Sequence, residues 1–298
     1  MGAKLTRLNL NEANDTWHRV LQHAPEDISR YILEIAAAND RRTAASLVLV
    51  SKQFREWFEP FLYRAVILDW PEHLELFQYM LQARGEFLRA NVQALQLRTG
   101  SFSDLQLHLS IPKIRSLFID INQLSDIHSI EHVPPELTQL AIAGPFVQHS
   151  LDPCPIASAI THLAFITDTP RALPDKPEDL PNLTHFACYF SVRGETGFFG
   201  MNARILSWAL DVVLRCPKLE IVVITVQDES RPRAPSEKEI RSKMLASIAD
   251  LISDRRVVVF GAAYDDEPAM NMVEKWDLDN EKSVWRVAER KLELQQSL

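Results

Sequence analysis

The spacing of five short apolar motifs constrains this fold more than any other feature of the chain. The pattern apolar–x–x–apolar–x–apolar occurs as Val92-x-x-Leu95-x-Leu97, Ile114-x-x-Leu117-x-Ile119 and Leu137-x-x-Leu140-x-Ile142. It returns as Ile160-x-x-Leu163-x-Phe165 and Leu183-x-x-Phe186-x-Cys188. The central residues stand at 95, 117, 140, 163 and 186, so the steps are 22, 23, 23 and 23. A sixth copy, Leu219-x-x-Val222-x-Ile224, follows after a step of 36, and Arg255–Phe260 reads as one more strand of undefined phase. Each unit then supplies one short strand whose apolar residues enter a core shared with its neighbours. The alternative is an ordinary α/β domain with evenly spaced strands.

A period of roughly 20–29 residues around this core resembles the leucine-rich repeat. The position where that family carries Asn or Cys holds Gly100, Asn122, Pro145, Asp168, Ser191 and Gln227, so the array is degenerate. Between strands, Leu74–Leu88, Arg204–Leu214 and Lys238–Ile252 have helical apolar spacing. The stretch 145–181 is rich in proline and predicts tight loops. An acidic loop over Asp265–Asp279 leads to a helix over Glu281–Gln296, with Trp285, Ala288 and Leu292 on one face. This helix is expected to cap the end of the array, as terminal repeats require. The expected class is α/β: a short N-terminal helical module, then a leucine-rich-repeat-like solenoid with a capping C-terminal helix. The divisions are a flexible N-terminus at 1–15, the helical module at 16–68, the array at 69–262 and the loop and helix at 263–298.

A chain of 298 residues encloses a large core without staples. Its three cysteines, Cys154, Cys188 and Cys216, are widely separated, which predicts reduced thiols buried as small core residues. A net charge of −8 argues against nucleic acid as the main ligand. No window reaches the ~20 apolar residues of a membrane span, and polar residues interrupt the N-terminus where a signal peptide needs an apolar run. An intracellular protein, cytoplasmic or nuclear, is expected.

Before the repeats, Ala24–Leu68 reads as three short amphipathic helices and a strand. Pro25 opens the first helix, with Glu26 and Asp27 on its positive end. Ile28, Tyr31, Ile32, Ile35 and Ala36 form one apolar face. Asn39 and Asp40 are breakers and cap candidates, and Ser51 is a candidate cap for the third helix. Phe54, Trp57, Phe58, Phe61 and Leu62 repeat the helical spacing there, and Pro60 predicts a kink or break. Three such helices carry more large apolar surface than they can bury among themselves, and the surplus must meet the rest of the chain or another protein.

This segment resembles an F-box, a motif that runs Leu-Pro-x-Glu-Ile, Ile-Phe, then Val-Cys-Lys-x-Trp-Arg. The counterparts are Ala24-Pro25-Glu26-Asp27-Ile28, Ile32-Leu33 and Val50-Ser51-Lys52-Gln53-Phe54-Arg55, with Ala24, Ser51 and Phe54 as departures. The continuation Trp57–Arg64 is similar to fungal F-box-like families. The resemblance implies that Pro25, Ile28, Ile32, Leu33, Val50 and Phe54 dock a Skp-family adaptor, and through it a cullin. The repeats would then hold a protein target for ubiquitination. It implies no enzymatic activity in the chain itself and no cofactor.

Strand alternation places the target site. Residues between the core positions must point the other way, onto the concave face. That rule selects Gln96, Arg98, Phe118, Asp120, Gln139, His162, Ile166, His185 and Tyr189, over a floor of Ala141, Ala143, Ala164 and Ala187. Arg98, Phe118, His162, Ile166, His185 and Tyr189 are the candidate target contacts. The alternative is that the terminal helix folds back over this face and buries the anchors. His162 and His185 fall side by side in adjacent repeats, but two imidazoles fall short of the three protein ligands a zinc site needs, so no metal is expected. The glycine loop Gly194–Gly200 lacks both phosphate-loop spacings, and no nucleophile or metalloprotease motif occurs.

Overall fold

Eight parallel strands lie in the order in which the chain makes them: β1 Ala65–Leu68, β2 Ala94–Leu97, β3 Ser116–Asp120, β4 Gln139–Ala143, β5 His162–Ile166, β6 His185–Val192, β7 Ile221–Asp228 and β8 Val257–Ala263. The computed structural model describes residues 25–98, 110–120, 133–143, 151, 154–166, 176–192, 210–211, 213–228, 254–263 and 283–296. Among them the helices are α1 Glu26–Asn39, α2 Arg41–Leu47, α3 Lys52–Tyr63, α4 Pro71–Asn91 and α5 Val284–Gln296. The chain divides into two compact units, Met1–Tyr63 and Arg64–Leu298. None of the described helices is long and apolar enough to cross a membrane.

The repeat spacing sets the register. Leu95, Leu117, Leu140, Leu163, Phe186 and Val222 are direct neighbours across the sheet, and Leu97, Ile119, Ile142, Phe165, Cys188 and Ile224 form the next row. Both rows are buried. The step of 36 before β7 leaves the pairing intact, and β8 joins in phase through Val222 beside Val257. A doubly wound sheet would reverse its order at some point. This one never does.

A repeated backbone corner locks each strand to the one before. The carbonyl of Arg115 accepts from the N–H groups of Thr138 and Gln139, that of Thr138 from Thr161 and His162, and that of Thr161 from Thr184 and His185. The threonine hydroxyls add a second line. Thr161 Oγ1 donates to Thr138 O at 3.3 Å, and Thr184 Oγ1 to Thr161 O at 3.1 Å. Of the six positions where the asparagine ladder was sought, only Ser191 and Gln227 are described, and they pair across β6 and β7. The threonines do comparable work at the other end of the strands. Thr161→Val keeps the shape but removes the hydroxyl, so we expect a loss of about 1–2 kcal/mol in a urea titration.

Arg256 closes the corner of the last repeat. Its guanidinium donates to Leu219 O at 3.3 Å, to Leu214 O at 3.0 Å and to Asp254 Oδ2 at 2.8 Å. That pairing holds the Asp254 carboxyl below the usual carboxylate range. All three cysteines are buried and none forms a disulfide. Burial raises each thiol, Cys216 to about 11, so they are inert core residues.

Three sequence expectations change. Ala65–Leu68, read as the end of the helical module, pairs with β2 and belongs to the sheet unit. Pro60 neither ends nor splits α3, which runs through it to Tyr63. The helix expected over Leu74–Leu88 is longer, Pro71–Asn91, and bends at Arg84 (φ −139°, ψ 36°). The predicted helix Lys238–Ile252, most of Arg204–Leu214, the acidic loop, the glycine loop and residues 1–15 lie outside the described residues.

Candidate binding surfaces

In the helical unit, Ala37, Ala44 and Phe58 form a small core, with Leu33, Leu47, Val48, Phe54, Trp57, Phe61 and Leu62 packed around it. The helix order follows from its caps. Asp40 accepts from the N–H groups of Arg42 and Thr43 at the start of α2, and Ser51 Oγ accepts from Phe54 N at 3.1 Å at the start of α3. The Thr43 hydroxyl and the Arg42 N–H, both donating to it, hold the Asp40 carboxyl below its ordinary range. Aromatic rings run down α3, Phe54 against Phe58 at 5.5 Å and Phe58 against Phe61 at 6.4 Å. Arg30 covers the Trp57 ring at 5.0 Å while pairing with Glu34 at 2.7 Å.

The face left outside is apolar. On α1, Ile28, Tyr31, Ile32 and Ile35 are exposed at i, i+3, i+4 and i+7, Tyr31 by 62%. In the turn before α3, Leu49 is 79% and Val50 64% exposed. The six candidate docking residues therefore separate into two sets. Pro25, Ile28, Ile32 and Val50 are available at the surface, whereas Leu33 and Phe54 pack on the unit's own core. Tyr31 and Ile35 belong to the apolar face drawn from the sequence but were not singled out. Leu49 was missed, because it falls outside the helical periodicity.

The second surface differs from its expected form. Residues between the core positions do share one face of the sheet, but that face is covered. Phe118, Ala141, Ala164, Ala187, Ile221, Val223 and Val258 form a buried cluster with Trp285, Ala288 and Leu292 of α5. So α5 packs on this sheet face over the last two strands, β7 and β8, with Trp285 reaching the histidines of β5 and β6. This is the folded-back arrangement that the sequence left open. Small alanines in the middle strands leave room for the Trp285 ring. Lys291 Nζ fixes the helix further along, donating to Val259 O at 2.9 Å and sitting 4.8 Å from the Phe260 ring centre.

Of the candidate target contacts, Phe118 is 4% and His185 7% exposed, so neither offers an open surface. His162 and Ile166 are partly buried, Ile166 against the same cluster. Arg98 is exposed beside Asp69 at 3.7 Å. Tyr189 sits between Ile166 and Thr225 by register, and its side chain lies outside the described set. Gln96 and Gln139 are buried too, Gln96 donating to Asp69 at 2.9 Å and Gln139 accepting from Ser116 at 2.7 Å. His185→Ala should therefore lower the melting temperature in a thermal melt, because the ring is buried beneath Trp285.

The two histidines stack under the tryptophan. Their ring centres lie 4.2 Å apart at 11°, and Trp285 meets them edge-on at 5.2 and 5.7 Å. Each Nδ1 is 2.8 Å from the hydroxyl of the preceding threonine. His185 Nε2 faces Glu289 Oε1 at 3.6 Å, too long for a hydrogen bond. Burial, then His185 and Arg286, push His162 down to about 3. Burial likewise lowers His185, against the pull of Glu289 and Glu220. Both rings are neutral at pH 7. Among the described residues no group of three or more His, Cys, Asp or Glu could hold a metal ion.

No protein-family model matches the chain, and no curated protein or solved structure matches it either. Its role must be argued from these surfaces alone.

Proposed function

We propose that the chain is a substrate-recognition adaptor of a Skp–cullin–F-box type ubiquitin ligase, working inside the cell. In this reading the helical unit is an F-box that docks a Skp-family adaptor, and the sequentially ordered sheet is a degenerate leucine-rich-repeat array that holds a protein target. The chain catalyses nothing and takes no cofactor; it positions. The observation that carries the reading is the set of large apolar residues left exposed in Met1–Tyr63: Ile28, Tyr31, Ile32, Ile35, Leu49 and Val50. A unit this small does not expose such side chains without a partner for them.

The test is co-purification of the full chain with a Skp-family adaptor, followed by Ile32→Asp. A charge introduced into an apolar contact should cost roughly 3–5 kcal/mol and abolish capture at micromolar concentration. Because Ile32 is partly exposed, the variant should keep its circular dichroism spectrum. No capture by the wild type, or capture unaffected by the substitution, would sink the proposal. A second reading, a repeat scaffold not coupled to ubiquitination, is favoured by the burial of the sheet face under α5.

A further inference from the structure

Resting on that reading, we propose that α5 is a displaceable latch: it occupies the sheet face as a stand-in for an amphipathic target helix and yields as the histidine pair beneath it takes up protons. The composition of the face supports this role. The opposite side of the sheet carries Leu, Ile and Phe in continuous rows, whereas this face carries Ala141, Ala164 and Ala187 beside Gln139, His162 and His185, and then Ile221, Val223 and Val258 on β7 and β8, where α5 packs. Ala164 and Ala187 leave room beside the histidines for a bulky side chain that a helix brings, as α5 brings Trp285. The side chains α5 brings stand at i, i+3 and i+7, Trp285, Ala288 and Leu292, the anchors by which a helix is read in a groove. A target segment with an aromatic residue, a small residue and a leucine at that spacing would fit the same floor.

The histidines give the latch a weak point. They are stacked on each other and enclosed by the Trp285 edge, so a proton on either ring is buried beside the other imidazole. The groups facing them are Thr161 and Thr184 at Nδ1, Glu289 and Arg286 from α5, and Glu220 from the approach to β7. His185 Nε2 is buried without a hydrogen-bond partner, and Glu289 stays 3.6 Å away. With α5 lifted, the rings meet water and the pair takes up its first proton near the ordinary histidine value of about 6.5. Neutral rings therefore favour the closed form above that value. As pH falls below 6.5, the open form gains roughly tenfold in population per pH unit from His162, which burial holds near 3 in the closed form, and His185, also lowered there, adds in the same direction.

Hydrogen exchange on the full chain tests the latch directly and involves no adaptor. After correction for intrinsic rates, Val284–Gln296 should open at least tenfold more at pH 5.5 than at pH 7.5 while β3–β6 keep their protection. The double variant His162→Gln with His185→Gln should flatten that response. Protection of α5 equal to that of the strands at both pH values, or an unchanged acid response in the variant, would overturn the proposal. Should the double variant not fold, a second measurement uses Trp285→Ser with Leu292→Ser in the full chain. A fluorescent peptide of residues 283–298 should bind this variant at least tenfold more tightly than it binds wild type. No difference while β3–β6 remain protected would also overturn it. Loss of adaptor capture with the latch intact would instead strike only the ubiquitin-ligase reading.

Discussion

Phe58→Ala should unfold the helical unit at 25 °C. The ring is fully buried and touches Phe54, Trp57 and Phe61, so its removal deletes the centre of the cluster. Truncation of a buried Phe costs about 3–5 kcal/mol. A unit as small as Met1–Tyr63 has little more than that to lose. The measurement is hydrogen exchange over residues 26–63, where protection should vanish, together with loss of adaptor capture. Retained protection would mean that the unit draws its stability from elsewhere.

The same substitution in the sheet should have a milder outcome. Phe165 is fully buried in the row that runs from Ile119 through Ile142 to Cys188, with Phe186 6.1 Å away. Phe165→Ala again removes about 3–5 kcal/mol. Spread over a unit of this size, the loss should appear as a fall in melting temperature on the order of 10 °C, with the sheet still folded at 25 °C. A fall of only one or two degrees would mean that the neighbours collapse into the space.

The sheet was legible because its signal is periodic. Leu95, Leu117, Leu140, Leu163 and Phe186 could be aligned by counting, and each strand of this parallel sheet pairs only with the strand before and after it. The longer steps to Val222 and Val257 hid the phase without changing it. β1 was assigned to the wrong unit because Ala65–Leu68 has no full copy of the motif. The threonine ladder was readable in principle, since Thr138, Thr161 and Thr184 recur at steps of 23, but no side-chain rule drew attention to them. For α5, the apolar face was plain, and its docking place was not. A helix face states that something will cover it. Which surface does so is a tertiary fact, and the only sequence hint lay in the alanines that recur at 141, 164 and 187.

Because no strand in the described sheet ever reaches past its neighbour in the chain, the length of a connection and the architecture are uncoupled. The segments before β7 and β8 are half as long again as the four that join β2 to β6, yet Phe186, Val222 and Val257 still stand in one row. Additional residues leave between two strands and return with every pairing preserved. Lineages can therefore lengthen, shorten or rewrite a single connection and alter what the molecule presents there, without renegotiating the rest of the fold.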